Sequence, residues 1–188
     1  MTFGLLGPGK GIETAIRALP ALVQENPKLL YMIVGATHPN LVRDEGELYR
    51  ESLTALASEL GVSEHVQFVD RYLSLDALLD YVAACDIYLS PYPNEAQIVS
   101  GTLAYAIALG KAVVSTPFWY AQELLADNCG LLVPFEQADG FATAIRRLID
   151  DDTLRSEIRT NAYARGRAMI WPRVAEQYLE VFSTVRLE

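Results

Sequence analysis

The stretch Ala83–Pro117, AACDIYLSPYPNEAQIVSGTLAYAIALGKAVVSTP, decides the fold. Ile87 to Leu89 is a short apolar run of strand formers, and Pro91 and Pro93 break the chain after it, so a strand ends there in a loop. Ser100-Gly101-Thr102 then opens an Ala- and Leu-rich segment closed by Gly110, which predicts a helix, and Ala112 to Ser115 predicts the next strand. Strand, loop, helix and strand in that order make the crossover unit of a parallel α/β sheet. The helix begins where the first strand ends, so its unpaired N–H groups and positive dipole end face the crevice above the sheet. Ser100, Gly101 and Thr102 admit two readings here. They form a phosphate-binding corner, with Gly101 letting the backbone approach and two hydroxyls donating, or Ser100 simply N-caps a buried helix.

Working outward, the same alternation fills the chain. Phe3 to Leu6 reads as a first strand, ended by Gly7-Pro8-Gly9-Lys10-Gly11, and a helix with Ile12, Ala15, Ile16, Leu19 and Leu22 on one face follows, bent at Pro20. Leu29 to Val34 is a continuous apolar run, as expected of a parallel strand buried on both faces, and Gly35 ends it. After the loop 36–40 comes a helix carrying Tyr49, Leu53, Leu56 and Leu60, closed by Gly61, and then a strand from Val66 to Val69. A helix capped by Ser74 precedes the opening stretch. A helix from Trp119 to Leu125, a sixth strand from Leu131 to Val133, and helices from Ala138 to Asp150 and Leu154 to Met169 follow it. The last segment carries Trp171, Val174, Tyr178, Val181 and Phe182 on one side and is expected to pack on this same domain. The prediction is a single Rossmann-like domain over residues 1–188: a doubly wound parallel sheet of about six strands with helices on both faces. Ligands of such sheets bind at the carboxyl ends of the strands, so the loops at Gly7, Gly35, Arg71 and Gln97 should open on one edge.

Composition narrows the function. The chain has 188 residues, long enough for one well-buried domain, and a net charge of -9 without any basic run, which argues against a nucleic-acid partner. Cys85 and Cys129 are far apart and flanked by apolar residues, so two reduced cysteines in or near the core are expected. With no leader-like or membrane-spanning stretch, a cytoplasmic location is expected. Met1-Thr2 leads straight into a strand and Leu187-Glu188 resembles a cloning remnant, which suggests a domain cut from a longer protein.

Several motifs fail. Gly4 to Gly11 misses the phosphate-binding loop of nucleotide triphosphatases, which needs Ser or Thr after the Lys where this chain has Gly11. The glycines from Gly7 run G-x-G-x-G rather than G-x-G-x-x-G, and no acidic residue ends the second strand, so a nicotinamide-dependent dehydrogenase is not indicated. His38 and His65 have no metal-ligand spacing, and Ser115 is not in a nucleophile elbow, so no metal is expected. What remains is a glycine-rich turn presenting Lys10 at a helix N-terminus, either an exposed Lys beside a turn or a point-charge partner for a diphosphate.

In order, FGLLGPGKGIE, YMIVGA, VQFVDR, AACDIYLSPYPNEAQ, ALGKAVVSTPFWYAQELLADNCGLLVPF and IWPRVAEQYLEVF make the chain resemble, over nearly its full length, a known family. It is that of the C-terminal, nucleotide-sugar-binding domains of family-four retaining glycosyltransferases of the GT-B fold, the glycosyl transferases group one. The resemblance implies half of a GT-B enzyme that moves a sugar from a UDP- or GDP-linked donor to an acceptor hydroxyl, with no further cofactor. The acceptor site would belong to an N-terminal domain of the same protein, membrane contact would be at most peripheral, and this domain alone would be inactive.

Position by position, the family's phosphate-contacting Lys falls on Lys10 and the glycines of its loop on Gly7 and Gly9. Its Arg falls on Leu5, and its two glutamates, one for the sugar and one for the ribose, fall on Gln97 and Tyr105, which still hydrogen-bond. Glu95 stands two residues before Gln97 as a substitute carboxylate. Gly35 and His38 follow the second strand at the ligand edge, and Arg71 and Tyr72 stand where the family places the base. Arg71 either stacks there or pairs with Asp70, and the pair is favoured. Lys10, Gln97 and Tyr105 are thus the expected catalytic residues. Gly7, Gly9, Gly35, Arg71, Glu95, Ser100, Gly101 and Thr102 are the expected donor-binding ones. The same architecture also suits an epimerase, a phosphorylase with pyridoxal phosphate on a Lys, or a non-catalytic sugar-nucleotide sensor.

Overall fold

Along each central strand alternate side chains enter two different cores, and this period of two makes the fold doubly wound. The computed structural model describes residues 1–185; the suspected remnant at 187–188 lies outside them. Tyr31 and Ile33 of β2 (Tyr31–Val34), Leu89 of β4 (Ile87–Ser90) and Ala112 and Val114 of β5 (Ala112–Ser115) face one core. Val34, Tyr88 and Val113 face the other. The first core is closed by α1 (Ile12–Ala18), α2 (Pro20–Val23), α4 (Leu48–Glu59) and α8 (Ala138–Asp150). The second is closed by α5 (Leu75–Ala84), α6 (Gly101–Ala108), α7 (Trp119–Leu124) and α9 (Asp152–Ala168).

All strand pairs are parallel. The six strands form two three-stranded sheets rather than one continuous ladder: β1 (Thr2–Phe3), β2 and β3 (Val66–Val69), and β4, β5 and β6 (Leu131–Leu132). Residues 1 and 2 join them. Leu89 N donates to Met1 O at 2.8 Å, Met1 N to Ile87 O at 2.7 Å and Thr2 Oγ1 to Leu89 O at 2.9 Å. The strand order is therefore 3-2-1 beside 4-5-6. The topological switch point, where such sheets bind ligands, falls between the carboxyl ends of β1 and β4.

Four expectations are corrected. The first strand stops at Phe3 instead of Leu6, because the chain turns at Gly4, where φ is +127°, and Leu6 makes only an isolated bridge to Thr37. Gly35 crosses so close to it that a Cβ there would lie 2.2 Å from Gly4 O. An extra helix, α3 (Pro39–Glu45), fills the segment read as a loop, and Gly46, at φ +67°, separates it from α4. Asp70 does not pair with Arg71, because it pairs with Arg50 at 3.2 Å. Finally, α10 (Trp171–Val185) does not pack on the domain: none of its residues is buried, and Trp171, Tyr178 and Phe182 stand exposed. Both sheet faces are already covered by other helices, so the sheet offers it no open face.

Buried polar groups tie the elements together. Lys111 Nζ donates to Ala83 O at 2.5 Å and Cys85 O at 3.0 Å, which satisfies carbonyls at the end of α5. Both cysteines are free, Cys129 buried and Cys85 partly so. The phenols of Tyr31, Tyr49 and Tyr88 are pushed up by burial. A raised phenol pKa means that the folded state keeps protons the unfolded state loses near pH 10, so stability is full below that pH and falls as pH rises above it. In an alkaline titration followed at 295 nm, these tyrosines should ionise only together with loss of the far-UV circular dichroism signal. Smooth ionisation of all ten tyrosines with the fold intact would contradict the burial.

Candidate functional site

The loop after β1 and the loop after β4 meet over the switch point and enclose a cleft of about 450 Å3. Its walls include Leu5, Gly7, Gly9, Lys10, His38, Gln97, Ser100, Gly101 and Thr102. Gly7 enters the 3₁₀ turn Pro8–Lys10, Lys10 N donates to Gly7 O at 2.9 Å, and Gly11 leaves the turn in the left-handed region at φ +61°. The Lys10 side chain reaches the loop after β4. A Cβ on Gly11 would lie 1.9 Å from Pro91 O. The Ser or Thr of a nucleotide triphosphatase loop therefore has no room after this Lys, which gives a physical reason for that motif's failure.

Opposite stands the N-terminus of α6. Ser100 caps it, its hydroxyl accepting from Leu103 N at 3.3 Å, so the N-cap reading of Ser100 holds. Helix geometry leaves the amides of Gly101 and Thr102 without intrahelical acceptors, and they stand at the cleft. A Cβ added at Gly9 or Gly101 would meet nothing within 4 Å. Neither glycine is needed for packing or for a left-handed turn, and glycine at a helix position costs about 0.5–1 kcal/mol relative to alanine. The open space in front of both is where a ligand's backbone contacts would form. The capping and anion-binding readings of this corner are compatible, because the cap uses only the third amide.

One residue absent from the sequence-based list joins the two sides. Tyr92 receives a hydrogen bond from Lys10 Nζ at 2.7 Å, and its hydroxyl is 2.8 Å from Thr102 Oγ1 and 3.4 Å from Ser100 Oγ. Lys10 Nζ also lies 4.6 Å from the centre of the Tyr92 ring. Burial alone would raise the phenol's pKa, but the Lys10 ammonium and the hydroxyls of Ser100 and Thr102 bring it below the ordinary value. The signal was a Tyr between Pro91 and Pro93, where the stiff chain fixes the ring; a lone loop aromatic gave no reason to choose it.

The remaining expected residues divide. Gln97 lines the cleft, with its Nε2 held by Val99 O at 2.5 Å. His38 lines it too and caps α3, its Nδ1 accepting from Asn40 N at 3.2 Å. Tyr105 is outside the cleft lining; its ring leans on Phe3, centroids 6.3 Å apart, and is part-exposed. Arg71, Glu95 and Gly35 are also outside the lining. Arg71 and Glu95 are exposed, and Gly35 serves the close approach to Gly4. A larger cavity of about 640 Å3 opens at the opposite sheet edge, lined by Leu22, Leu29, Ile87 and Ile145. Its lining is chiefly apolar, and Glu25 and Asp86 stand in it beside Lys28.

Comparisons with known proteins place the chain in a family. The profile of the family described as "Glycosyl transferases group 1" matches residues 2–165. The phosphatidyl-myo-inositol mannosyltransferase of Mycolicibacterium smegmatis is 32% identical over 182 residues, which cover 95% of this chain and 42% of that protein. The D-inositol 3-phosphate glycosyltransferase of a Nocardioides species is 29% identical over 98% of the chain and 41% of its own length. The chain thus spans about two fifths of the curated relatives it matches. Among solved structures, Anabaena Alr3699/HepE in complex with UDP superposes with a TM-score of 0.81 at 24% identity, over 97% of this chain and 48% of that one. WaaG, a glycosyltransferase of lipopolysaccharide biosynthesis, gives 0.70 at 27% identity over 88% of this chain and 42% of that one. The helices on both sheet faces, the cleft at the switch point and the family match over most of the sequence have one conclusion: the chain belongs to the glycosyl transferases group 1 family, as a GT-B half-domain.

Proposed function

We propose that this chain is the donor-binding half of a retaining glycosyltransferase and grips the diphosphate of a nucleotide sugar, UDP- or GDP-linked, between Lys10 and the leading amides of α6. The observation that carries the proposal is the convergence of a cation, two free amides and three hydroxyls on one cleft, with glycines in open space beside them. Breaking the anomeric bond leaves negative charge on the departing diphosphate. Fixed donors placed where that charge develops lower the barrier without a metal ion. Leu5 supplies no second charge, so the load falls on Lys10, the hydroxyls and the helix end. Support for the nucleotide comes from structural neighbours described as holding UDP or UDP-glucose.

The acceptor and the rest of the cleft would belong to an N-terminal domain, and the exposed apolar side of α10 is available to such a partner. The 188-residue chain should therefore bind donor without transferring sugar. Calorimetric titration with UDP, GDP and ADP tests the binding: a saturable isotherm for one of them, strongly weakened but still measurable when the matching nucleoside replaces it, is expected. Flat traces for all three would overturn the proposal and favour an assembly role.

A further inference from the structure

We propose that Tyr92 is a positioning residue for the proposed diphosphate site, a rigid post that holds the Lys10 ammonium toward the N-terminus of α6. The inference rests on the donor-binding reading of the cleft and adds a residue to it.

Lys10 has a four-carbon stem with free rotation, and an unheld ammonium would lose that freedom only when the ligand arrives. In this chain Lys10 is already restrained, since its Nζ contacts both the hydroxyl and the ring face of Tyr92. The post itself is fixed from three directions. Its ring stacks on Phe118, centroids 5.1 Å apart and planes 17° from parallel, and Phe118 is fully buried. Its carbonyl accepts from Thr116 Oγ1 at 2.6 Å. Its hydroxyl meets Thr102 Oγ1 at 2.8 Å, and Thr102 in turn lies 3.2 Å from Ser100 Oγ. Tyr92 is only 4% exposed, so it does not sweep the cleft as a ligand-seeking side chain would. A chain of four polar side chains, Lys10, Tyr92, Thr102 and Ser100, thereby links the loop after β1 to the helix after β4. The ordering cost of Lys10 is met on folding instead of on binding, which is how preorganisation raises affinity. With Leu5 offering no charge, the placement of Lys10, the one ammonium among the described residues lining this cleft, matters more.

Tyr92→Phe keeps the stacking and removes only the hydroxyl, so it separates positioning from packing. It should weaken UDP binding by about two- to tenfold in the presence of Lys10, the size expected when one rotamer-rich side chain must be ordered on binding instead of beforehand. In a Lys10→Ala background the same change should have almost no effect, because a positioning residue acts through the group it holds. A purely structural role would instead lower affinity equally in both backgrounds, and that result, or an unchanged affinity in the Lys10 background, would overturn the inference. A ligand-free readout keeps the question open to test even if no nucleotide binds. The chain has three lysines, Lys10, Lys28 and Lys111. In nitrogen-15 lysine side-chain spectra, the signal absent from Lys10→Ala should show a restricted ammonium in the wild type and a freely rotating one in Tyr92→Phe. Equal mobility of that ammonium in the two proteins would contradict the proposed role of Tyr92, whereas failure of UDP, GDP and ADP alike to bind would strike only at the donor-site reading.

Discussion

Lys10→Ala is expected to weaken UDP binding by about ten- to a hundredfold while leaving the melting temperature nearly unchanged. The magnitude follows from hydrogen bonds to a charged group, which contribute about 1.5–3 kcal/mol each. The loss should sit at the high end because Leu5 offers no second cation and Gln97 is neutral. Stability should be spared because Lys10 is half-buried at a loop and pairs with no carboxylate within salt-bridge distance among the described residues. Tyr92 would keep Thr102 as a hydrogen-bond partner, so no buried hydroxyl is orphaned. Parallel calorimetry of UDP and uridine checks the assignment. The loss should appear for UDP and vanish for uridine, and an equal loss for both would place Lys10 on the base or ribose instead.

Gly11→Ala carries the largest expected effect on stability, a loss of about 3 kcal/mol or more. A left-handed backbone costs a residue with a Cβ about 1–2 kcal/mol by itself. Here the new methyl also meets Pro91 O at 1.9 Å, and that atom is backbone, which has no rotamer by which to move aside. The loop after β4 would have to shift, and Tyr92 with it. Urea unfolding should therefore show a lower midpoint with an unchanged slope, and UDP affinity should fall as well. A change below about 1 kcal/mol would mean that the two loops are not in contact at this point. Gly9→Ala, with nothing within 4 Å of its added carbon, is the matched control for stability.

The order of strands and helices was legible because the central strands are short apolar runs bounded by Gly and Pro, and each helix has one apolar face. The misreadings have physical causes. Phe3 to Leu6 looks like a strand, but the mutual approach of Gly4 and Gly35 ends pairing after Phe3. The α10 stripe suggested burial, and hydrophobic spacing does not say which body provides the covering surface. Asp70 and Arg71 are neighbours in sequence, yet side chains that follow one another in extended chain point apart, and Asp70 turns to Arg50 on α4. For the cleft, Lys10 and the Ser100-Gly101-Thr102 corner were readable because glycine, hydroxyl and cation at element ends have few other uses. Tyr92 was not, since its importance comes from three contacts distant in sequence: Lys10, Thr116 and Phe118.

A crystal structure of this chain soaked with UDP tests the central claim most directly. Diphosphate oxygens should lie within hydrogen-bond distance of Lys10 Nζ and of the Gly101 or Thr102 amide, over the carboxyl ends of β1 and β4. A diphosphate bound elsewhere, with that cleft empty of phosphate, would contradict it.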